Sequence, residues 1–319
     1  MKPKVYIDGQ AGTTGLQIYG RLQGREDIEL LTIDPEKRKD ENARRECLNE
    51  ADLAILCLPD QAAREAVGFI ENGHTKVIDC STAHRTAPGW DYGFPELFPL
   101  RREKIQASKR VANPGCYATG VIALVRPLVK AGFLSVDHPL AIHALSGYTG
   151  GGNKAIAQYE AAQRPAELDS PRHYALDLSH KHIPEIMAQT GLRRKPIFCP
   201  IICDFPQGMA VSVPLALSWM GGVDLKLLRK CYERYYQGER LVTVAPAAVP
   251  EDGFLGSSRY AGRDDLEIVL CGNEDQAVVF ALFDNLGKGA SGAAVQNMNL
   301  MLGFEETKGL NIPTKEESA

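Results

Sequence analysis

The sequence predicts an α/β protein with two domains, the first built on a parallel sheet and the second on a mixed or antiparallel sheet. Short apolar strands alternate with helical patterns over the first 115 residues, which is the rhythm of βαβ units. Longer apolar strands follow, separated by helical and loop segments. The length of 319 residues suits two domains of about 150 residues each.

The candidate elements of the first domain are short. Apolar runs predict strands, and a helical pattern begins at about Thr14. The predicted strands are 4–8, 29–34, 51–58 and 76–79. We expect a parallel sheet because each strand is followed by a connection long enough for a crossover.

The second half has longer predicted strands at 138–145, 197–204, 209–219 and 276–284. A last helical pattern over 290–302 carries one apolar stripe, which must be buried. The stripe is Ala294, Val295, Met298, Met301 and Leu302. We expect this helix to pack against the first domain, which would then comprise residues 1–115 and 289–319, with 116–288 as the catalytic and oligomerisation domain.

The overall charge argues against nucleic acid or a membrane as a partner. The chain has 36 basic and 40 acidic residues, a net charge of −4, and no long run of like charges. It has no apolar stretch of the roughly 18 residues that a membrane span needs, and its start lacks the apolar core of a signal peptide. The eight cysteines are scattered without a CxxC pair, so we expect free thiols and a cytoplasmic protein.

A glycine-rich turn follows the first predicted strand. Gly9, Gly12 and Gly15 form a GxxGxxG arrangement that also contains Thr13 and Thr14. Glycines let the backbone turn tightly and bring a helix N-terminus close to a pyrophosphate. Because the motif joins a strand to a helix and a second strand follows it, we predict a Rossmann-type domain that binds a dinucleotide.

The residues themselves leave the choice between NAD and NADP open. Asp34, at the end of the second predicted strand, is placed to accept a ribose 2′-hydroxyl and favours NAD. Lys37, Arg38 and Lys39 follow it and would instead hold the 2′-phosphate of NADP. Pro59 closes a later apolar run, where it marks either a contact with the cofactor or a simple strand end.

Cys116 lies where the turn NPGC passes into an apolar helical run that ends near Gly132. A free thiol has a pKa of about 8.5, and a helix N-terminus or a nearby protonated histidine lowers it. This position predicts a nucleophilic thiolate. The alternative, a small buried hydrophobic residue, is our interpretation of the other cysteines.

The segment HKHIPEI supplies candidate partners for that thiolate. His180, His182 and Glu185 fall within six positions, and we favour His182 as the acid/base with Glu185 holding its tautomer, while His180 stays a candidate for the same role. A zinc site formed by these histidines with Cys199 and Cys203 is disfavoured, because FCPIICDF alternates like a buried strand and the spacing matches no common zinc pattern. We therefore predict no metal.

Several other polar stretches are either turns or anion sites. Arg85, in DCSTAHR, can form paired hydrogen bonds with a phosphate or carboxylate, or it can be a solvated surface residue. The other stretches are YGFPEL, SGYTGGG and 285–296.

Taken together, these motifs resemble the N-acetyl-gamma-glutamyl-phosphate reductase family, in its shorter bacterial form. The resemblance runs along nearly the whole chain, and NPGCYAT combined with HKHIPEI is its most specific part. Two positions depart from the family pattern SGxSGxG, with Tyr148 bulkier than usual and Thr149 in place of serine. The further matching stretches are GQAGTTG, DCSTAHR, YGFPEL and DNLGKGASGAAVQN.

The resemblance implies a fold similar to that of glyceraldehyde-3-phosphate and aspartate-semialdehyde dehydrogenases, NADP as cofactor, and a homo-oligomer, either a tetramer or a dimer. By this resemblance Cys116 is the nucleophile, His182 the acid/base, and Asn113 lies near the reacting carbonyl. Arg85, Ser146 and Gly147 would contact the substrate. The cofactor would be held by Gly9, Gly12, Thr13, Thr14, Gly15, Asp34, Lys37, Arg38, Pro59, Ser81 and Asn285.

The implied reaction is the reduction of an acyl phosphate, with release of phosphate, through a thioester on Cys116. The nearest alternative is an aspartate-semialdehyde dehydrogenase, which shares this chemistry. A non-catalytic dinucleotide-binding redox sensor and a cysteine hydrolase are the other two. The sensor has no need of the combined cysteine, histidine, asparagine and arginine residues, and the glycine-rich loop counts against the hydrolase.

Overall fold

The computed structural model of the chain describes residues 1–246 and 252–312. It divides into two compact units, which are described separately. Unit 1 comprises Met1–Gly115 and Ala290–Leu310, and unit 2 comprises the described residues of Cys116–Gly289 together with 311 and 312. Residues 313–319 of the predicted C-terminal segment lie outside the described residues.

Unit 1 is built on a sheet of six strands in the order β2-β1-β3-β4-β6-β5. Every neighbouring pair is parallel, which confirms the predicted parallel sheet. The strands are β1 (Lys4–Asp8), β2 (Glu29–Leu31), β3 (Leu53–Leu56), β4 (Lys76–Asp79), β5 (Asp91–Tyr92) and β6 (Arg110–Ala112). The central strands are buried on both faces, as parallel strands usually are, so their carboxyl ends are the accessible edge.

Helices connect these strands, and local sequence explains where they begin. Asp40 caps the second helix, because its carboxylate accepts a hydrogen bond from the backbone N–H of Ala43 at 2.8 Å. The first helix begins directly after Gly12. The helices are α1 (Thr13–Leu22), α2 (Glu41–Glu50), α3 (Asp60–Gly68) and α4 (Arg101–Ala107).

Unit 2 is built on a mixed sheet of seven strands in the order β11-β12-β13-β10-β7-β9-β8. Parallel pairs join β7 to β9 and β11 to β12, and the other pairs are antiparallel, so the prediction of a mixed or antiparallel sheet is confirmed. The strands are β7 (Ala141–Gly147), β8 (Arg172–His173), β9 (Ile197–Cys203), β10 (Met209–Ala216), β11 (Val242–Val244), β12 (Leu266–Gly272) and β13 (Gln276–Phe283).

One face of this sheet is covered by helices. The helices of unit 2 are α5 (Cys116–Lys130), α6 (Gly152–Tyr159), α7 (Ile183–Thr190) and α8 (Leu225–Tyr235). Helix α5 packs against β10 and β13 and against α7 and α8. Its Gly120 lies so close to the sheet that an added Cβ would be 2.6 Å from Val211 and 2.8 Å from Phe283. The N-terminal half of α5 therefore rests directly on the sheet.

The opposite face of the sheet is open over β7 and β9, whereas Tyr260 and Leu255 cover Ala210, Val269 and Leu282 on the same face. The strand registers place one cross-strand row on this face, and its members are half-buried or exposed, in contrast to the buried alternate residues that face α5. The row consists of Cys199, His143, Ser212 and Phe280. We call this surface the open sheet face. Ile197, at 53% exposure, continues it along β9.

Helix α9 (Gly292–Leu302) belongs to unit 1 although it comes from the far end of the chain. Ala294, Val295, Met298 and Met301 are buried in one cluster with apolar residues of β1, β3 and α1. Polar residues on its other sides are buried as well, including Gln296, Asn297 and Asn299. The predicted stripe is thus buried within unit 1, except that Leu302 is only partly buried.

The observed strands are often shorter than predicted, and five strands were not predicted at all: β5, β6, β8, β11 and β12. The run at 29–34 forms a strand only over Glu29–Leu31, because Asp34 starts a turn in which its carboxylate accepts from the N–H of Glu36. Strand β12 was missed, although the polar turn at 272–275 between two apolar runs is a hairpin signal. No helix within the described ranges is long and apolar enough to cross a membrane.

Candidate functional site

The predicted glycine-rich loop joins β1 to α1 in unit 1. Gly9 has a φ of +87°, and a Cβ there would be 2.4 Å from the carbonyl oxygen of Cys57. A Cβ at Gly15 would be 2.5 Å from the carbonyl oxygen of Gly9. Gly12 donates its N–H to the Gly9 carbonyl at 3.1 Å, and Thr13 and Thr14 begin the helix. Side chains are therefore excluded from the points where this backbone is closest to its neighbours.

A cavity of about 930 Å³ opens at the carboxyl end of β1. Its volume lies within the range of cofactor sites. The lining includes the backbone of Gly9 and Gly12, together with Asp34 and Arg38 from the predicted site. The lining also includes Lys39, a candidate for the 2′-phosphate. Further lining residues that the motif analysis had not assigned to the site include Asp8, Leu16, Arg44, Leu58 and Ala62.

The charges around this cavity are partly paired. Arg44 forms an ion pair with the buried carboxylate of Asp8 at 2.8 Å, and a guanidinium held in this way is less available to a ligand. Arg38 and Lys39 are exposed at the rim. Seven of the residues predicted to hold the cofactor, all of them described, are not part of the lining: Thr13, Thr14, Gly15, Lys37, Pro59, Ser81 and Asn285.

Asp79, at the end of β4, organises the DCSTAHR stretch of unit 1. Its carboxylate accepts hydrogen bonds from the Ser81 hydroxyl at 2.8 Å and the Ser81 N–H at 2.9 Å. The Nδ1 atom of His84 lies 2.6 Å from the same carboxylate, and the imidazole stacks on Trp90 with ring centroids 4.1 Å apart. The Ser81 side chain is therefore held by Asp79, and its predicted cofactor contact stays a prediction.

Asn113 and Arg85 are linked to each other within unit 1. Arg85 donates from Nε to the carbonyl oxygen of Asn113 at 2.9 Å and from Nη2 to that of Cys80 at 3.1 Å. The Asn113 amide donates to the carbonyl oxygen of Ala290 at 3.0 Å and accepts from Asn297 at 3.1 Å. Both predicted substrate-binding residues thus have clear structural contacts, and their contact with a substrate stays a prediction.

Cys116 is the first residue of α5 in unit 2 and is half-buried. The helix N-terminus presents unsatisfied N–H groups and a partial positive charge, which favour a thiolate over a thiol. Gly289 lies against it, since an added Cβ there would be 3.1 Å from the Cβ of Cys116. The thiol is thus held between the start of a helix and a close backbone segment.

The structure brings both candidate histidines to this end of α5. The ring of Tyr117, the residue after Cys116, lies 5.6 Å from the ring of His180 and 6.0 Å from that of His182. His182 precedes α7 as its N-cap residue, and Glu185 is buried in the first turn of that helix. The predicted hydrogen bond between His182 and Glu185 stays a prediction.

The SGYTGGG loop follows β7 and is held by the neighbouring 206–208 segment. A Cβ at Gly147 would be 2.5 Å from the carbonyl oxygen of Pro206. The Thr149 hydroxyl donates to the same oxygen at 2.6 Å and accepts from the Asn285 amide at 3.0 Å. Thr149 therefore retains the hydroxyl of the family serine. Asn285, predicted as a cofactor contact, is 1% exposed within unit 2.

Two tyrosines near Cys116 were not identified from the sequence. Tyr174 lies just after β8, and its hydroxyl is 3.3 Å from Nε2 of His180. Tyr117 is adjacent to the predicted nucleophile, but the sequence pattern around it predicts only an apolar helix. Only the motif position of Tyr117 could have suggested a role, whereas nothing in the local sequence distinguishes Tyr174 from a loop residue.

Two models of known protein families match the chain, one within each unit. Residues 116–285 match the family described as semialdehyde dehydrogenase, dimerisation domain. Residues 29–107 match the semialdehyde dehydrogenase, NAD binding domain. The chain is also similar to solved structures of aspartate-semialdehyde dehydrogenases. The enzyme II from Vibrio cholerae has a TM-score of 0.68 at 14% identity, with 95% of this chain and 99% of that chain covered. This likeness confirms the predicted fold.

Sequence relatives are much closer. N-acetyl-gamma-glutamyl-phosphate reductase 2 of Pseudomonas putida is 51% identical over 96% of this chain and 99% of its own length. The N-acetyl-gamma-glutamyl-phosphate reductase of Brucella ovis is 50% identical over 95% of this chain and all of its own length (100%). The protein of Nostoc sp. named N-acetyl-gamma-glutamyl-phosphate reductase 2 is 48% identical over 97% of this chain and 99% of its length. The resemblance seen in the motifs is thereby confirmed, and the chain belongs to the N-acetyl-gamma-glutamyl-phosphate reductase family.

Proposed function

We propose that the protein reduces N-acetyl-gamma-glutamyl phosphate to N-acetylglutamate semialdehyde and phosphate, a step of arginine biosynthesis, with NADPH as the reductant. The observation that carries this proposal is the position of Cys116 at the N-terminus of α5, where the next residue, Tyr117, packs against two histidines, in a chain about half identical to reductases of this name. In this proposal unit 1 holds the cofactor, and unit 2 provides the nucleophile and the acid/base.

The first step is an acyl transfer to the protein. The Cys116 thiolate attacks the carbonyl carbon of the acyl phosphate, the carbon–oxygen bond to phosphate breaks, and phosphate leaves with the bonding electron pair. The product is a thioester on Cys116. Phosphate is a good leaving group, so its departure needs charge stabilisation and no strong acid.

The second step returns the cysteine to its thiolate form. A bound NADPH supplies a hydride to the thioester carbonyl carbon. His182, at the start of α7, stabilises the negative charge on the former carbonyl oxygen by donating a hydrogen bond or a proton. Collapse of the resulting thiohemiacetal releases the aldehyde, and the electron pair returns to sulfur while His182 takes back the proton.

The unit 1 cavity fits a dinucleotide. Its glycine-rich wall has points where a Cβ would collide with backbone, and such a wall lets a pyrophosphate approach the first N–H groups of α1. Arg38 and Lys39 at the rim supply positive charge for a 2′-phosphate, which supports NADP. Asp34 lines the same cavity, and a carboxylate there would favour the ribose hydroxyl of NAD.

Loss of the rim charges should shift the cofactor preference. In the double variant Arg38→Ala/Lys39→Ala we expect the ratio of kcat/KM for NADPH to that for NADH to fall about 10- to 100-fold, which corresponds to about 1.4–2.7 kcal/mol lost in total from two solvent-screened contacts. The matched control is Arg45→Ala on α2, whose side chain pairs with Glu41 and Glu71 and does not line the cavity. An unchanged ratio in the double variant would remove these residues from the proposed 2′-phosphate site.

We also propose that a second copy of the chain covers the open sheet face. The face belongs to the region that matches a dimerisation domain, and its apolar side chains include the exposed Ile197 and the partly buried Phe280. His143→Glu places a charge in the middle of this face without burying it in the monomer. In size-exclusion chromatography with light scattering, we expect the variant to have a smaller mass than the wild type. The control is Lys226→Glu, at an exposed position of α8, which should leave the oligomer intact. A His143→Glu protein of wild-type mass would contradict this interface.

The activity can be tested in the reverse direction. Purified protein is mixed with NADP and phosphate, and either N-acetylglutamate semialdehyde or aspartate semialdehyde is added while reduced cofactor is followed by absorbance. We expect phosphate-dependent reduction of NADP to be at least about 100-fold faster with N-acetylglutamate semialdehyde than with aspartate semialdehyde. A few unsatisfied polar contacts with the wrong substrate produce a ratio of this size. Preference for aspartate semialdehyde, or cofactor binding without turnover, would overturn the proposal.

A further inference from the structure

The two histidines of HKHIPEI are bound differently, and the difference assigns their protonation states. Nδ1 of His180 is 3.1 Å from the backbone nitrogen of His182 and accepts its N–H. An imidazole nitrogen that accepts a hydrogen bond carries no proton. In this arrangement the proton of His180 must therefore be on Nε2.

The second ring nitrogen of His180 also has a partner. Nε2 lies 3.3 Å from the hydroxyl oxygen of Tyr174, so Nε2–H donates to that oxygen. Both nitrogens are then used by a neutral ring. If Nδ1 were protonated, it would become a hydrogen-bond donor. It would then face another donor, the N–H of His182, and the first hydrogen bond would be lost.

Aromatic rings around His180 oppose its rotation. The imidazole is 9% exposed and makes edge contacts with Phe198 at 5.1 Å and with Tyr117 at 5.6 Å between ring centroids. The ring of His182 is 4.7 Å away. A ring flip would exchange the two nitrogens, and these contacts make such a flip costly.

Tyr174 packs against a second buried tyrosine. Its ring centroid is 6.3 Å from that of Tyr117. Burial raises the pKa of both tyrosines, and the nearby charge of Cys116 adds to the effect, so both stay protonated at neutral pH. The Tyr174 oxygen is thus a neutral acceptor for His180.

We propose that His180 is a positioning residue that acts as a neutral Nε2–H imidazole, with its tautomer fixed by Tyr174, and that it holds the backbone of His182 at the start of α7. His182 is then left as the proton-exchanging histidine. This inference rests on the proposed function for the role of His182, and it assigns a role to Tyr174 that the motifs do not suggest.

The first test compares substitutions at the two histidines. In His180→Asn the side-chain oxygen can replace Nδ1 as acceptor, but the amide does not titrate near neutral pH. We expect His180→Asn to keep kcat/KM within about tenfold of the wild type and to keep the imidazole limb of its pH profile. His180→Ala should lose more than His180→Asn, and His182→Asn should lose the imidazole limb. If His180→Asn is as impaired as His180→Ala and its imidazole limb is absent, His180 is the acid/base and the proposal is wrong.

The second test needs neither substrate nor cofactor. Alkylation of Cys116 by iodoacetamide is followed by peptide mass spectrometry as a function of pH. For His182→Asn we expect the midpoint to rise by about one pH unit, because the thiolate loses its imidazolium partner. For His180→Asn the midpoint of the alkylation profile should stay within about half a pH unit of the wild-type value. Equal shifts in the two variants would overturn the assignment.

Tyr174→Phe keeps the ring and removes only the acceptor oxygen. We expect alkylation of Cys116 at neutral pH to slow about three- to tenfold, with no further change when Tyr174→Phe is added to His180→Ala. Tyr232→Phe is the matched control, since it removes another buried hydroxyl of unit 2, one that donates to the carbonyl oxygen of Leu124 at 2.6 Å. If Tyr174→Phe behaves like this control, or if its effect persists in the His180→Ala background, Tyr174 does not act through His180.

These readouts separate the inference from the proposed function. A wild-type protein that reduces no acyl phosphate contradicts the proposed function alone, because the alkylation profiles test His180 and Tyr174 in the protein without ligands. Thermal unfolding of every variant shows whether a slow alkylation reflects a lost fold. A variant whose midpoint of unfolding equals that of Tyr232→Phe and whose alkylation is still slow supports the positioning role.

Discussion

Replacement of Cys116 by serine is expected to lower kcat/KM for the acyl phosphate by about four orders of magnitude. A serine hydroxyl is scarcely ionised at neutral pH, and the helix N-terminus that favours a thiolate cannot make it a comparable nucleophile. The oxyester that would form also accepts hydride poorly. The measurement is a steady-state assay with NADPH and N-acetyl-gamma-glutamyl phosphate, together with mass spectrometry for an acyl adduct on residue 116.

Cys231→Ser is the control for this substitution. Cys231 is a half-buried cysteine on α8 whose thiol is 3.7 Å from the carbonyl oxygen of Pro127, and a serine hydroxyl can make the same contact. We expect its kcat/KM to stay within about twofold of the wild type. Activity of Cys116→Ser within about tenfold of the wild type would exclude Cys116 as the nucleophile.

Gly9→Ala is expected to weaken dinucleotide binding by about a hundredfold, which corresponds to about 2.7 kcal/mol. The substituted residue would have to keep a φ of +87° with its Cβ 2.4 Å from the Cys57 carbonyl oxygen. Because the nearest atoms belong to the backbone of Cys57, the rotation of a side chain cannot relieve this contact. Relief of this collision moves the loop away from the position in which its N–H groups face a pyrophosphate. Titration of the protein with NADPH, followed by cofactor fluorescence, gives the dissociation constant.

Gly24→Ala separates the collision from the backbone strain. Gly24 has a φ of +90°, and no heavy atom lies within 4 Å of its added Cβ. Both variants therefore incur similar conformational strain, of about 1 kcal/mol, but only Gly9→Ala displaces neighbouring backbone. We expect Gly24→Ala to bind NADPH like the wild type. Equal affinities in the two variants would show that the close approach at Gly9 has no role in cofactor binding.

The elements that the sequence predicted well are those with a strong local signal. Apolar runs of Val, Ile and Leu identified β1, β3 and β4, and the glycines marked the turn that follows β1. The helix that begins at Cys116 was also visible, because an apolar run of this length follows a turn containing Pro114 and Gly115. In each case neighbouring residues determine the structure, so no knowledge of distant contacts is needed.

Features that depend on distant contacts could not be predicted in this way. The hydrogen bond between Tyr174 and His180 joins a loop to the segment before α7. The motif HKHIPEI marks His180, but nothing in the local sequence marks Tyr174 as its partner. The same holds for Gly289, whose proximity to Cys116 spans most of unit 2 in sequence. The structural contacts of Asn113 with Ala290 and Asn297 likewise arise only when α9 has packed. Tertiary packing, and not local pattern, determines these positions.

The location of α9 has a consequence for how the protein is made. The ribosome synthesises residues 1–115 well before α9, so their sheet lacks one of its apolar neighbours until Ala290–Leu310 has been translated. During that interval the apolar surfaces of β3, β4 and α1 that later pack against α9 are exposed to water. A nascent chain arrested before α9 should therefore be a good substrate for chaperones that bind apolar segments, and release of the completed chain should end that association.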